Sequence, residues 1–207
     1  MKHDQLIQAL DNCLPQTQCR LCGYPDCKSY ATALADLKEK NLGLCVPGEQ
    51  IALKKISAVL SSSSQPFQDQ VNAQSRPATL AKIDAERCIG CMKCVPACPV
   101  DAIIGGAKKL HGILADECTG CELCIPSCPV DCISLEKNEL NNPESLYNKA
   151  NLRRQRYEQQ TLRKVNQKSQ ASKAHTHAKH GFSKSQQASQ DARKLLIEAA
   201  LKRAKKL

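Results

Sequence analysis

The pattern C-x2-C-x2-C-x3-C-P occurs twice, complete both times. Cys88, Cys91, Cys94 and Cys98 precede Pro99; Cys118, Cys121, Cys124 and Cys128 precede Pro129. Three thiolates within seven residues can each take a different iron of a cubane, and the fourth, carried off by the turn before the proline, ligates the neighbouring cluster. The spacing therefore pairs Cys88, Cys91, Cys94 and Cys128 around one cluster and Cys98, Cys118, Cys121 and Cys124 around another. Tetrahedral zinc uses separated cysteine pairs, so two triplets with remote fourth ligands suit it poorly. The complete ligand sets predict [4Fe-4S] clusters.

The two runs repeat with a period of 30 residues, which brings Cys88 and Cys118, Pro99 and Pro129, and Asp101 and Asp131 into register. Such a duplication predicts two halves related by a local twofold axis. Short apolar stretches flank each half: AKID and AIIGG around the first, GILAD and CISLE around the second. They read as short strands against an irregular centre, joined by the turn-rich GGAKKLHG.

Other core-forming residues are scarce. The 207 residues include no Trp, two Phe and four Tyr, against 14 Cys. Metal ligation can supply the folding energy that a small core lacks. The opening MKHDQLIQAL has no apolar core of a signal peptide, and no run of about eighteen apolar residues occurs. Reduced thiols in a cytoplasmic setting bind metal more often than they form disulfides.

A second cysteine group lies upstream: Cys19-x2-Cys22-x4-Cys27, then Cys45 before Pro47. Four thiolates here could hold zinc or a third cluster. Gly23 and Pro25 permit the tight loop that either needs. Helical spacing follows Cys27, with Tyr30, Ala33, Leu34 and Leu37, and again in EQIALKKISAVL. Residues 61–79 are Ser/Gln/Pro-rich and read as a flexible linker. The expected class is α+β: a small helical four-cysteine domain over 1–60, a ferredoxin-like domain over 80–137, and a basic, partly helical or disordered tail over 138–207. Within the tail, residues 166–190 have a disordered composition, and DARKLLIEAALKRAKK can form an amphipathic helix.

Charge divides along the same line. Residues 1–137 hold 14 Lys+Arg and 15 Asp+Glu; residues 138–207 hold 16 and 5. The tail can fold back on the acidic, cluster-bearing part, steer redox partners, or bind anionic lipid or nucleic acid. His175, His177 and His180 read as solvated residues.

The stretch LPQTQCRLCGYPDC with CVPG at Cys45 resembles the four-cysteine [4Fe-4S] domain of the B subunit of the Rnf (Rsx) ion-translocating electron-transport complex. The resemblance covers about residues 1–137, and the order of modules is similar. It implies a third [4Fe-4S] cluster on Cys19, Cys22, Cys27 and Cys45, and electron transfer within a larger complex. Members of that family begin with a membrane helix, which this chain does not show. Arg20, Leu21 and Glu49 stand where the family has Gly, Gln and Gly.

Cys13 and Cys132 remain outside the twelve ligands. Cys132 aligns with Ala102 in the repeat, so both cysteines read as small packing residues. The expectation is an electron carrier with three [4Fe-4S] clusters, serving redox protein donors and acceptors rather than acting as a stand-alone enzyme; G-x-G-x-x-G is absent. A second reading makes it the peripheral B subunit of a membrane Rnf-type complex, at the inner face of the membrane. A third, a redox-sensing nucleic-acid-binding protein, rests on the basic tail alone.

Overall fold

The structure, a computed structural model, describes residues 2–138, 142–170 and 193–194. The chain forms two compact units, Met1–Gln160 and Thr161–Leu207. All the cysteines lie in the first.

The N-terminal third of the first unit is helical. Helix α1 (His3–Asn12) packs on α2 (Cys27–Ala35), and α3 (Glu49–Leu60) closes the group. Asp26 caps α2 by accepting from the Ser29 N–H at 2.7 Å, which satisfies one of the free amides of the first turn. The helical pattern after Cys27 extends to Leu37, yet α2 stops at Ala35. Leu37 is left-handed, with φ 58°, and its side chain is exposed. Leu10, Leu14, Tyr30, Leu34, Leu53 and Ile56 form the core here, each 2% exposed or less.

The stretch expected to be a flexible linker over 61–79 is partly built into this core. It holds a 3-10 turn (Gln65–Phe67) and helix α4 (Gln68–Ala73), which packs on α3. Val71 is buried, and Phe67 packs at its side. Asn41 donates to Gln70 at 2.9 Å, and Gln50 to Asn72 at 2.8 Å. Phe67 and Val71 are one helical turn apart; a composition averaged over many Ser and Gln residues conceals that pair.

The duplicated region makes two small antiparallel sheets. Strand β1 (Thr79–Ile83) pairs with β4 (Ile133–Lys137), with Ala81 opposite Leu135. Strand β2 (Ile103–Ile104) pairs with β3 (Gly112–Ile113). The strand before each half thus pairs with the strand after the other, as the twofold predicts. Between them lies α5 (Cys94–Ala97), a single turn. The backbone repeats as well. Gly90 and Gly120 both have φ 65°, Met92 and Glu122 both 64°, and Asp101 and Asp131 have 53° and 47°. Six of the eleven residues in this core are cysteines, so its packing and its ligand chemistry involve the same atoms.

The basic segment also departs from the expected tail. Helix α6 (Pro143–Asn148) and the helical residues 150–160 belong to the first unit. Leu146, Arg153 and Gln160 are buried, at 4%, 2% and 4% exposure. Tyr147 Oη donates to the Cys13 carbonyl at 2.9 Å. Counting charges alone misses that these side chains carry the apolar and hydrogen-bonding surface needed to dock. In the second unit residues 161–170 are helical, including 166–170 of the stretch read as disordered. The histidine cluster and the C-terminal amphipathic segment lie outside the described residues, apart from Arg193 and Lys194.

A Cβ at Gly90 would stand 2.6 Å from the Lys109 amide nitrogen, and one at Gly120 would meet the Thr79 carbonyl. Both glycines are left-handed. Gly90→Ala and Gly120→Ala are each expected to destabilise the protein by more than about 1 kcal/mol, read as a lowered thermal midpoint by circular dichroism under anaerobic conditions.

Candidate metal centres

The loop between α1 and α2 places the first three cysteines. Gln16, Gln18 and Arg20 are all left-handed, with φ 56°, 54° and 64°. Non-glycine residues take that conformation only when their surroundings impose it. For Gln16 and Gln18 a buried polar chain does so. Gln16 Nε2 donates to the Asp11 carbonyl at 2.7 Å and to Asp11 Oδ1 at 2.9 Å. Gln18 Nε2 donates to Gln16 Oε1 at 2.8 Å, and Gln18 Oε1 accepts from the Cys27 N–H at 2.8 Å. The chain thereby ties the end of α1 to the start of α2, across the cysteine loop. Arg154 closes it from the basic segment, with Nε 2.7 Å from Asp11 Oδ2.

Cys19, Cys22, Cys27 and Cys45 line one small cavity, together with Leu14, Tyr30 and Pro47. The thiols act on one another: Cys45 is raised well above the ordinary thiol value, first by burial and then by Cys27, Cys19 and Cys22. Burial likewise pushes Cys27 up. Thr17 Oγ1 is buried nearby without a protein partner.

Cys98, Cys118, Cys121 and Cys124 line a second small cavity. Burial raises Cys121 and Cys124 to about 12, with neighbouring thiols adding to it. Thr119 Oγ1 has no protein partner within hydrogen-bonding distance, yet it lies close enough to Cys121 to favour the thiolate.

The third set is Cys88, Cys91, Cys94 and Cys128. Burial raises Cys94 first, followed by the charges of Cys91, Cys88 and Cys128. Cys128 is lowered: burial opposes ionisation, but the N–H groups of Cys132 and Val130 outweigh it. Two of the expected quartets thus each line a cavity, and Cys88, Cys91 and Cys128 lie within electrostatic reach of Cys94.

Four buried thiolates repel one another and need a cationic group between them. Tetrahedral zinc, with bonds of about 2.3 Å, would draw its sulfurs to within roughly 4 Å of each other. Among the described residues no three His, Cys, Asp or Glu side chains gather as a single ion requires. An all-sulfur donor set spread more widely than a single ion requires fits an iron–sulfur cluster better than one ion.

Three parts of these sites escape a reading by cysteine spacing. The Gln16–Gln18 chain is one; two glutamines between Pro15 and Cys19, in a loop, were its visible trace. His111 is the second: it is 3% exposed, and its Nδ1 stands 3.3 Å from Cys94 Sγ. Comparing the repeats position by position would have exposed it, opposite Ala81. The third is Cys132. It is buried as expected of a packing residue, but its Sγ stands 3.3 Å from Cys128 Sγ. The Cys13 thiol bonds the Ala9 carbonyl, at 3.2 Å, within the helical core.

The fold and the paired cysteine runs define an iron–sulfur electron-transfer protein of ferredoxin type. Residues 81–135 match the family described as "4Fe-4S dicluster domain", and residues 14–47 match the one described as "Putative Fe-S cluster". Over 136 residues the chain is 44% identical to the B subunit of the ion-translocating oxidoreductase complex of Escherichia fergusonii and 43% identical to that of Shigella dysenteriae. Each alignment covers 66% of this chain and 70% of the relative. The chain belongs to the family formed by the B subunits of Rnf-type ion-translocating oxidoreductase complexes.

Gln18→Ala would leave the Cys27 N–H and Gln16 without their partners. It is expected to cost about 1–3 kcal/mol and to lower the iron bound by the N-terminal site, measured by thermal denaturation and iron analysis. A second expectation concerns acid. Burial pushes the Glu117 carboxyl up, but Lys149 and Arg156, at 3.2 and 2.6 Å, outweigh it and hold it below its ordinary value. A lowered carboxylate stabilises the fold above its unfolded value of about 4.3 and stops doing so as pH falls through the lower folded value. Hydrogen exchange over residues 143–160 is expected to rise in that acid window, and less so in Glu117→Gln.

Proposed function

We propose that the chain relays single electrons through three [4Fe-4S] clusters as the B subunit of an Rnf-type membrane electron-transport complex. The ligands would be Cys19, Cys22, Cys27 and Cys45; Cys88, Cys91, Cys94 and Cys128; and Cys98, Cys118, Cys121 and Cys124. The observation that supports this reading most directly is the placement of Cys19, Cys22, Cys27 and Cys45 around one cavity and of Cys98, Cys118, Cys121 and Cys124 around another. Such clusters supply one-electron uptake and release without making or breaking a bond in the protein.

The protein's own part is to hold the sulfurs, exclude water and set the field around them. In this reading a four-cysteine domain over about 1–60 comes first, extended by α4. A ferredoxin-like domain follows over 80–137, and the basic segment over 142–160 packs on both. Asp11 and Glu117, one in each domain, are both held by that segment.

The name of the Escherichia fergusonii relative supports partners in a membrane oxidoreductase complex. No helix among the described residues is long and apolar enough to cross a membrane, so attachment at the inner membrane face would run through those partners, with redox proteins as donor and acceptor. Lys149, Arg153, Arg154 and Arg156 contact protein groups, so this first part of the basic segment is engaged within the chain.

Anaerobically purified protein is expected to contain about twelve iron and twelve sulfide per chain, from four of each per cubane. Replacing Cys19 and Cys22 by Ala should remove about four of each. About eight iron with one zinc would overturn the N-terminal cluster. Recovery of membrane subunits with the tagged protein tests the complex; a fraction free of any membrane partner would return the chain to a stand-alone carrier.

A further inference from the structure

The duplication makes each ferredoxin site a reference for the other. Backbone hydrogen bonds to sulfur are shared: the Ala102 N–H donates to Cys98 Sγ at 3.2 Å, and the Cys132 N–H to Cys128 Sγ at 3.4 Å. Side-chain donors are not. Ala81 and Ala102, both buried, line the cavity bounded by Cys98, Cys118, Cys121 and Cys124. Their counterparts 30 residues later are His111 and Cys132, at the opposite site. His111 Nδ1 is 3.3 Å from Cys94 Sγ, and Cys132 Sγ is 3.3 Å from Cys128 Sγ.

Both groups are built in. His111 and Cys132 are 3% and 6% exposed. Gly105 lies against the imidazole, where any Cβ would overlap His111 Cδ2, so the ring has a fitted slot. Among the described residues the other ring nitrogen, Nε2, is buried with no partner, and the ring's hydrogen bond there is to sulfur. A ligand thiolate can only accept, which puts the donated protons on His111 Nδ1 and Cys132 Sγ.

We infer that His111 and Cys132 are positioning residues that raise the reduction potential of the Cys88/Cys91/Cys94/Cys128 site by hydrogen bonding to Cys94 and Cys128. This rests on the ligand sets proposed above. Uptake of one electron, with no proton moved and no bond broken, places more negative charge on the ligand sulfurs. Donors aimed at those sulfurs stabilise that charge more than they stabilise the oxidised state. The other ferredoxin site has different devices: the Thr119 hydroxyl near Cys121 and the Arg153 cation near Cys118. Each site is therefore to be compared with its own variants.

The test is an EPR-monitored redox titration of the full chain with iron and sulfide counted on each sample. Cys132→Ala copies the residue already present at position 102, and His111→Leu removes the donor while filling the slot. Both are expected to lower the same one of the midpoint potentials and leave the others in place. Cys132→Ser and His111→Asn keep a donor and should return that midpoint toward the original. Unchanged midpoints in fully loaded Cys132→Ala and His111→Leu would overturn the inference. If His111→Leu loses its clusters, Cys132→Ala against Cys132→Ser decides alone. Failure of the ligand reading itself would appear separately, as wild-type protein without about four sulfide per quartet.

Discussion

Buried cysteine thiols, gathered in three close sets, govern how this chain folds. A thiolate buried beside three others is unfavourable until a cationic core lies between them, so burial and ligation are coupled. In the ferredoxin half this coupling involves about half of the core, since five of its eleven buried residues are candidate ligand cysteines. Strands of two and five residues then suffice to orient it, where a sheet of that size would be marginal by itself. The helical half has an aliphatic core of its own and relies on its cysteines less.

The basic segment acts as a clamp between the two halves. Arg154 engages Asp11 beside the N-terminal cysteine loop, while Lys149 and Arg156 hold Glu117 beside Cys118. Gln160 Nε2 donates to the Cys98 carbonyl and, at 2.9 Å, to Asp101. The partly buried Arg154–Asp11 pair is worth more than an exposed one because removing either partner leaves the other in a poorly solvated place. Positive charge near an electron-accepting site also favours the reduced form, so one segment contributes both to assembly and to the field.

Duplication gives the ferredoxin half its backbone, and divergence gives it unequal sites. Repeated left-handed residues, repeated amide-to-sulfur bonds and crossed strand pairing all follow from two copies folding by the same rule. The side chains that differ, His111 and Cys132 against Ala81 and Ala102, sit beside sulfur.

The two cysteine runs and their 30-residue repeat were legible in the amino-acid order alone, because ligand spacing is a local property, whereas the four upstream cysteines were read as a cluster site only through the family resemblance. Periodicity likewise placed α3 and the four strands. It did not foresee α4, where two apolar residues hide in a polar stretch, or the docking of residues 143–160, where charge composition pointed to a loose tail. Nor did it show the Asp11–Gln16–Gln18–Cys27 chain or the contact of His111 with Cys94. Such partners meet only after the chain has folded. The links of the Asp11–Gln16–Gln18–Cys27 chain join residues two to nine positions apart in an irregular loop, and His111 lies 17 positions from Cys94; neither spacing repeats, so these contacts became visible only in three dimensions.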